Sequence, residues 1–264
     1  MNLKNTVTHD WDWWAYQFRV VHRQGIEGIE AWDDRLVAFI IHVLELKPSE
    51  RLLDLACGSG AHAMRFARRG LEVVGLDISP SLVRHCTERA AAEELDNLTF
   101  IEADMRALAY QEEFDGLVVL STSFGFFDDE TNQRVLEGIA RALKPWGRVL
   151  LQLSDPITFV ERQQHRYRWR ERPEGIYWTE TWFDPATFIS HGVFRFTDND
   201  GVMHLWDDHE RIRLYTLPEL HRMSDQAGLE ISDVYGDVLL PPVPYGPDWH
   251  REMIVVGRRT REKI

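Results

Sequence analysis

The sequence predicts an α/β fold in which helices cover both faces of a doubly wound, mostly parallel, seven-stranded sheet. Strand-like and helix-like segments alternate from Arg51 to Leu153, a pattern that is typical of βαβ units. A glycine turn joins the first strand to the helix that follows it, which lets a ligand approach the backbone closely. After the fifth strand, turn residues separate several strand-like segments, and these predict an inserted antiparallel meander.

The composition is that of an ordinary globular protein. The chain has 264 residues and a formal net charge of −13, which argues against broad binding to nucleic-acid backbones. Its two cysteines, Cys57 and Cys86, are too few for a disulfide framework. The most apolar stretch, Leu36 to Leu46, is too short to cross a bilayer. We therefore expect a cytoplasmic protein without a secretory signal or a membrane partner.

The glycine turn lies between a short apolar strand and a helix that runs from Ala61 to Arg69. Gly58 and Gly60 form the turn, and their spacing also fits the glycine signature for dinucleotides. Asp54 distinguishes the two kinds of ligand. A carboxylate just before the turn would repel a pyrophosphate, but it suits the cationic amino-acid end of S-adenosylmethionine.

At these residues the sequence resembles a known family, the class I S-adenosylmethionine-dependent methyltransferases. Asp54, Gly58 and Gly60 match its first motif, Leu-Asp-x-x-Cys-Gly-x-Gly. The resemblance continues through the strand that ends at Asp77, the strand that ends near Asp104, and the later elements up to residue 153. It implies an enzyme that binds S-adenosylmethionine and transfers its methyl group.

The resemblance also implies where the cofactor binds. Asp77 is expected near the ribose hydroxyl groups and Asp104 near the adenine amino group. The expected cofactor-binding residues are Tyr16, Asp54, Ala56, Gly58, Ser59, Gly60, Asp77, Ile78, Asp104, Met105, Leu120 and Ser121.

The loop from Ser121 to Phe127 follows the fourth strand and should border the reacting methyl group, because ligands lie at the carboxyl ends of the strands in such folds. It lacks the Asn/Asp-Pro-Pro-Tyr/Phe motif of nucleobase amino-methyltransferases. It resembles a Ser-Phe-Gly-Tyr-Phe version found in bacterial small-molecule enzymes. Its three phenylalanines could line the site or belong to the core; they are Phe124, Phe126 and Phe127.

Three parts of the chain are expected. Residues 1–46 form an N-terminal helical segment that is either a lid over the site or simply packs on the sheet. Residues 47–155 and 214–264 form the cofactor-binding α/β domain. Residues 156–213 form the insertion, with strand-like segments at 165–171, 176–183, 188–197 and 202–213.

The insertion is expected to cover the acceptor pocket, or to pair with the same sheet of a second subunit and so give a homodimer. Alternation places Tyr167 and Trp169 on one face, with Arg166, Arg168 and Arg170 on the other. Charged rows of this kind are usually solvated, although an arginine row could also clamp an acidic acceptor.

No residue is identified as catalytic. Three histidines of the insertion are candidates for a general base: His191, His204 and His209. Alternation along a strand places His204 and His209 on opposite faces, so the two cannot bind one metal ion locally. No metal is therefore expected.

The expected reaction transfers the methyl group to a nitrogen or oxygen atom of a small molecule. Three alternatives stay open: a methyltransferase that acts on RNA or protein, an NAD(P)-dependent oxidoreductase of the same architecture, and a cofactor-binding protein without catalytic activity.

Overall fold

The computed structural model describes residues 30–162, 167–173, 175–205, 210–246, 248 and 252–260. The helices are α1 (Glu30–Val43), α2 (Ala61–Arg68), α3 (Pro80–Ala92), α4 (Asp129–Ala142), α5 (Pro156–Arg162) and α6 (Leu217–Ala227), and a 3-10 turn spans Met105–Ala107. The first five strands are β1 (Arg51–Leu55), β2 (Glu72–Asp77), β3 (Leu98–Glu102), β4 (Phe114–Val119) and β5 (Leu143–Leu153).

Eight further strands follow in the described part of the chain. The second sheet is made of β6 (Tyr167–Arg172), β7 (Gly175–Asp184), β8 (Ile189–Asp198), β9 (Met203–Leu205) and β10 (Glu210–Arg213). The last three strands return to the main sheet; they are β11 (Leu229–Asp237), β12 (Val243–Pro244) and β13 (Met253–Arg259).

The main sheet has the order β12-β11-β13-β5-β4-β1-β2-β3. Strands β1 to β5 run parallel to one another, and β13 is antiparallel to both β5 and β11. The predicted mostly parallel α/β sheet is confirmed. The sheet has eight strands rather than seven, because the proline-rich segment expected to be a loop contributes the two-residue edge strand β12, a position where proline is tolerated.

The central strand β1 determines where a ligand can enter. It pairs with β2 on one side and with β4 on the other, so the connections after β1 and after β4 leave the sheet in opposite directions. This arrangement opens a crevice at the carboxyl ends of the two strands.

The two faces of the sheet carry separate apolar clusters. Leu52 belongs to the cluster beneath α1, α2 and α3, whereas Leu53 and Leu55 belong to the cluster beneath α4 and α6. Since side chains alternate along a strand, Asp54 shares the face of Leu52. The strand therefore directs this carboxylate toward the side of the sheet where α2 begins.

Helix α1 packs directly on the sheet, because Leu36, Phe39 and Ile40 are fully buried in the same cluster. Residues 1–29, which include Tyr16, lie outside the described residues, so the expected lid stays a prediction. Within the described ranges, no helix has the length and apolar character needed to cross a bilayer.

The insertion forms a separate antiparallel sheet of order β10-β8-β7-β6, with β9 also paired to β8. The predicted meander is confirmed, and its last segment is divided into the short strands β9 and β10. Before the first strand-like segment expected at 165, the structure adds the helix α5, which the sequence analysis did not assign. Ile157, Thr158 and Val160 give this seven-residue helix a strand-like composition.

One face of the second sheet packs on α5. On that face Phe183 of β7 lies 6.1 Å from the ring of Phe159 on α5. The opposite face carries Trp169, which is opposite Trp178 in register, and both tryptophans are exposed. Arg168 and Arg170 are also exposed.

An interior arginine joins the insertion to the main domain. The backbone N–H of Arg213 donates to the carbonyl of Gly125 at 2.8 Å, and its guanidinium donates to Glu219 at 2.5 Å. The same side chain lies 3.3 Å from Asp129 and 4.6 Å from the ring centre of Tyr215. Arg213 thus connects β10 with the loop after β4 and with the first turns of α4 and α6.

We expect Arg213→Met to lower the free energy of unfolding by about 2 kcal/mol, since it leaves the Glu219 carboxylate partly buried without its cation. Burial raises the pKa of Glu219, but hydrogen bonds from Thr216 and Arg213 outweigh it and hold that pKa below 4.5. The stabilisation is therefore present at neutral pH and is lost as the pH falls from the ordinary value of 4.5 through the lowered pKa of the folded state. Urea unfolding followed by circular dichroism measures the effect.

The matched control is Arg134→Met, which removes an exposed ion pair with Glu130 on α4 and should cost less than about 0.5 kcal/mol. Equal stability of the two variants at pH 7 would contradict the role of Arg213 as a buried connection.

Candidate functional site

The turn after β1 brings backbone and carboxylates together at the mouth of the crevice. Gly58 and Gly60 both have positive φ angles, of 54° and 70°, a region that L side chains rarely adopt. A Cβ at Gly60 would also lie 2.7 Å from the ring of Phe100. The turn can therefore approach a ligand closely only because glycine occupies these positions.

Asp77, at the end of β2, holds this turn in place. Its Oδ2 accepts a hydrogen bond from the Gly58 N–H at 2.8 Å, and its Oδ1 accepts one from the Ser79 N–H at 2.9 Å. Burial raises the pKa of Asp77, and these backbone donors act in the opposite direction. The residue expected near the ribose is thus also a structural partner of the glycine turn.

Asp54 is the least satisfied polar group of the site. Its side chain is buried, and its Oδ2 has no hydrogen-bond partner among the described residues. Burial raises the pKa of Asp54 to about 6, with a smaller upward contribution from Asp77 and opposing contributions from His62 and the Ala63 backbone. A buried carboxylate of this kind is suited to a cationic group that arrives with a ligand.

A cavity that is partly open to solvent lies next to Asp77, and the empty space within it and at its mouth is about 470 Å³. Five of the expected cofactor residues line it: Ala56, Asp77, Ile78, Asp104 and Met105. Five others complete the lining: Leu76, Ala103, Ser123, Phe126 and Phe127. The cavity is thus apolar and aromatic, with two carboxylates at its border, as is common for small-molecule sites.

The loop after β4 contributes aromatic side chains that the sequence could not assign. Phe126 and Phe127 line the cavity, whereas Phe124 is buried against Tyr215, with ring centres 5.5 Å apart. Site and core residues therefore alternate within one short loop. The sequence shows a run of aromatic residues here, but it does not indicate which of them line the cavity and which belong to the core.

The same loop is anchored to the end of β5 by a buried amide. The Ser121 N–H donates to Oε1 of Gln152 at 3.1 Å, and Nε2 of Gln152 donates to Glu252 at 2.8 Å. Leu120 itself is buried in the core. Sequence reasoning missed Gln152 and Glu252, because nothing local indicates that the ends of β5 and β13 meet at this edge.

The carboxylate of Asp155 connects the proline-rich loop to the same edge of the main sheet. Asp155 is buried and accepts hydrogen bonds from the Tyr245 hydroxyl at 2.5 Å and from the Thr158 N–H at 2.7 Å. Burial and this carboxylate raise the pKa of Tyr245. Both oxygens of Asp155 therefore have protein partners.

Among the described residues, the candidate histidines His191 and His204 are not brought together. His191 stacks on Trp182, with ring centres 4.9 Å apart, and the strand register pairs His204 with Phe196. Phe196 and His191 are five positions apart on β8, so the two histidine positions belong to opposite faces. His209 lies outside the described residues, and the role of any of them as a base stays a prediction.

Neither metal nor thiol chemistry is indicated in the parts of the chain that the structure describes. No group of three or more His, Cys, Asp or Glu side chains there could hold a metal ion. Cys57 and Cys86 are both buried, and burial raises the pKa of Cys86 to about 12 and that of Cys57 well above its ordinary value. Thiols of this kind are poor nucleophiles at neutral pH.

Comparison with known proteins agrees with this geometry. A methyltransferase-domain family model matches residues 52–147. The cypemycin N-terminal methyltransferase of a Streptomyces species is 32% identical over 212 residues, which cover 79% of this chain and 82% of that protein.

Two solved structures are similar in fold. The sugar N-methyltransferase KedS8 from Streptoalloteichus sp ATCC 53650 has a TM-score of 0.67 at 18% identity, covering 92% of this chain and 93% of that one. The S-adenosylmethionine-bound amino pentose methyltransferase CalS10 from Micromonospora echinaspora has a TM-score of 0.60 at 20% identity, covering 98% and 100%. Together with the 32% identity to a curated methyltransferase over most of both chains, the motifs and the sheet order lead to one conclusion: the chain belongs to the class I S-adenosylmethionine-dependent methyltransferases.

Proposed function

We propose that this enzyme transfers the methyl group of S-adenosylmethionine to an amine nitrogen of a small molecule. The observation that carries the cofactor part is the buried Asp54 carboxylate, whose Oδ2 has no hydrogen-bond partner among the described residues. An ammonium group supplied by a ligand is the simplest partner for it. The amino-acid end of S-adenosylmethionine carries such a group.

The other residues of the site fit the rest of this cofactor. We assign Asp77 to the ribose hydroxyl groups, because a carboxylate has lone pairs beyond the two that accept backbone N–H groups. Asp104 is assigned to the adenine amino group. Ile78 and Phe126 supply apolar surface at the walls of the cavity, which suits a flat aromatic base.

When bound, S-adenosylmethionine supplies a methyl group that the positive sulfonium charge activates for direct displacement. The chain therefore has to orient the acceptor in line and to exclude water. An acceptor amine must also be neutral, since only its free lone pair can react. A carboxylate near the acceptor can bind the ammonium form and help to remove its proton.

Two observations support an amine acceptor: similar proteins are named as N-terminal, sugar N- or amino pentose methyltransferases, and a carboxylate lies at the crevice. The relative that is 32% identical is a cypemycin N-terminal methyltransferase, and two neighbours in fold are a sugar N-methyltransferase and an amino pentose methyltransferase. Glu252 lies at the carboxyl edge, two hydrogen bonds from Ser121 by way of Gln152. We assign Glu252 to the acceptor amine.

The insertion is proposed to wall the acceptor pocket and so to influence specificity. The face that carries Phe183 contacts α5 and is the better candidate for the pocket side. The face that carries Tyr167 and Trp169 is exposed, which leaves it available for a second subunit. A lid formed by residues 1–29 remains part of the same proposal.

We expect Asp54→Asn to weaken binding of S-adenosylhomocysteine about tenfold or more, because the ammonium group loses its buried charged partner. The same change should raise the free energy of unfolding by about 2 kcal/mol at pH 7.5, since the carboxylate has a pKa of about 6 against an ordinary 3.8. With the folded pKa raised, stability is lost as the pH rises from 3.8 through 6. The advantage of the variant should therefore vanish below about pH 4.

Calorimetry and thermal unfolding measure the two effects, and Asp96→Asn, an exposed acid before β3, is the matched control. Wild-type affinity in a folded Asp54→Asn protein would remove Asp54 from the cofactor site.

The acceptor is tested with matched pairs that differ only in one group: an amino sugar against the same sugar with a hydroxyl, and a short peptide with a free against an acetylated N-terminus. We expect formation of S-adenosylhomocysteine only with an amine, at a rate that rises with pH as the amine loses its proton. Transfer to the hydroxyl sugar would contradict the proposal, and the peptide pair distinguishes the two amine classes.

Glu252→Gln should raise KM for the amine that reacts by about tenfold, while the Kd of S-adenosylhomocysteine stays at its wild-type value. Glu230→Gln, which removes an exposed partner of Arg258 at the opposite end of β13, should change neither constant. An unchanged KM in Glu252→Gln would exclude this carboxylate from the acceptor site.

A further inference from the structure

One side chain connects two of the loops that contribute residues to the lining of the cavity. Arg106 lies in the 3-10 turn after β3 and forms an ion pair with Asp104 on one wall. Its guanidinium carbon lies 5.0 Å from the ring centre of Phe127 on the other wall. Asp104 and Phe127 both line the cavity, so Arg106 contacts two lining residues without belonging to the lining itself.

The contact with Asp104 is a fork that occupies both carboxylate oxygens. Oδ1 accepts from the Arg106 backbone N–H at 2.9 Å and from its Nε at 3.0 Å. Oδ2 accepts from Nε at 2.9 Å and also from Nη2. Burial tends to raise the pKa of Asp104, but the hydrogen bonds and charge of Arg106 outweigh it, and the carboxylate stays ionised.

The contact with Phe127 completes a wall that is otherwise held by its backbone. The Phe127 carbonyl accepts a hydrogen bond from Asn132 at 2.7 Å, and the next residue, Asp128, caps α4 by accepting from the Thr131 N–H. These bonds fix the backbone of the loop. The orientation of the Phe127 ring is set in part by the planar guanidinium above it.

We propose that Arg106 is a positioning residue for recognition of the adenine base. It holds the Asp104 carboxylate in the orientation that accepts the 6-amino group, and it holds the Phe127 ring against the cavity. The proposal rests on the assignment of Asp104 made above for the proposed function. Arg106 itself touches neither the base nor the reacting atoms.

The contact between Arg106 and Asp104 also defines the result that would contradict this proposal. A carboxylate oxygen that already accepts two hydrogen bonds has little remaining capacity, so Arg106 could instead compete with the 6-amino group for Asp104. Positioning and competition predict opposite signs. Loss of Arg106 weakens adenine recognition in the first case and strengthens it in the second.

The experiment compares two ligands by calorimetry: S-adenosylhomocysteine and its inosine form, in which a 6-oxo group replaces the 6-amino group. We expect the wild-type protein to prefer the adenine ligand. In Arg106→Gln, the Kd of S-adenosylhomocysteine should rise about tenfold and the preference for adenine should fall by a similar factor. A purely structural role would weaken both ligands equally and leave the preference unchanged.

Two further variants separate the contacts. Arg106→Lys keeps the charge but not the fork or the planar contact, so it should restore only part of the preference. Phe127→Leu keeps apolar surface and should weaken both ligands alike. Arg134→Gln, an exposed arginine on α4 paired with Glu130, is the matched control and should bind as the wild type does.

The outcomes distinguish the positioning role of Arg106 from the assignment of Asp104 on which it rests. If the wild-type protein prefers adenine and Arg106→Gln keeps the full preference, or binds more tightly, positioning by Arg106 is wrong while the site assignment stands. If the wild-type protein binds both ligands equally, the assignment of Asp104 to the amino group fails, and the inference fails with it. Circular dichroism of each variant establishes that it is folded.

Discussion

The hydrogen bond from the Gly58 N–H to Asp77 is the constraint on which the site depends. It joins the turn after β1 to the end of β2 at 2.8 Å, across two strands that are already paired in the sheet. A turn with two glycines at positive φ has many conformations open to it in isolation. One buried carboxylate at the neighbouring strand end selects a single conformation and thereby shapes the crevice.

The same carboxylates carry a cost in stability. Asp54 and Asp77 are both buried, both have raised pKa values, and the charge of Asp77 contributes to the shift at Asp54. Asp77 offsets this cost by accepting two backbone N–H groups, whereas a neutral side chain at Asp54 would suit the folded protein alone better. A buried carboxylate such as Asp54 next to a glycine turn is characteristic of sites where binding, rather than folding, determines the residue.

The parts of the fold that were predictable are those whose signal is local. The buried strands β1, β2 and β4 appear in the sequence as apolar runs, and Asp54 and Asp77 stand at fixed places next to them. Contacts between distant segments leave no such signal, because the sequence does not say which loops meet. Arg106 and the Gln152–Glu252 pair therefore emerged only from the structure.

Local composition is also a weak guide to structure at two places. Helix α5 carries β-branched and aromatic residues that favour a strand, yet Asp155 accepts the Thr158 N–H and the helix forms. The Phe124 to Phe127 run shows the converse problem, since identical residue types take core and site positions within one loop. A local cap accompanies the first case, and tertiary contacts decide the second.

The position of β13 has a consequence for how the chain can fold. This strand is the last described strand in chain order, yet it lies inside the main sheet, between β5 and β11. Until it is in place, β5 and β11 each present an open edge of unpaired backbone groups, and the two parts of the sheet have no direct ladder between them. During synthesis, the half that contains β1 to β5 can form early. The sheet cannot close until residues 253–259 are in place. A chain interrupted before them would therefore lack one strand and also expose two unpaired strand edges, one on β5 and one on β11.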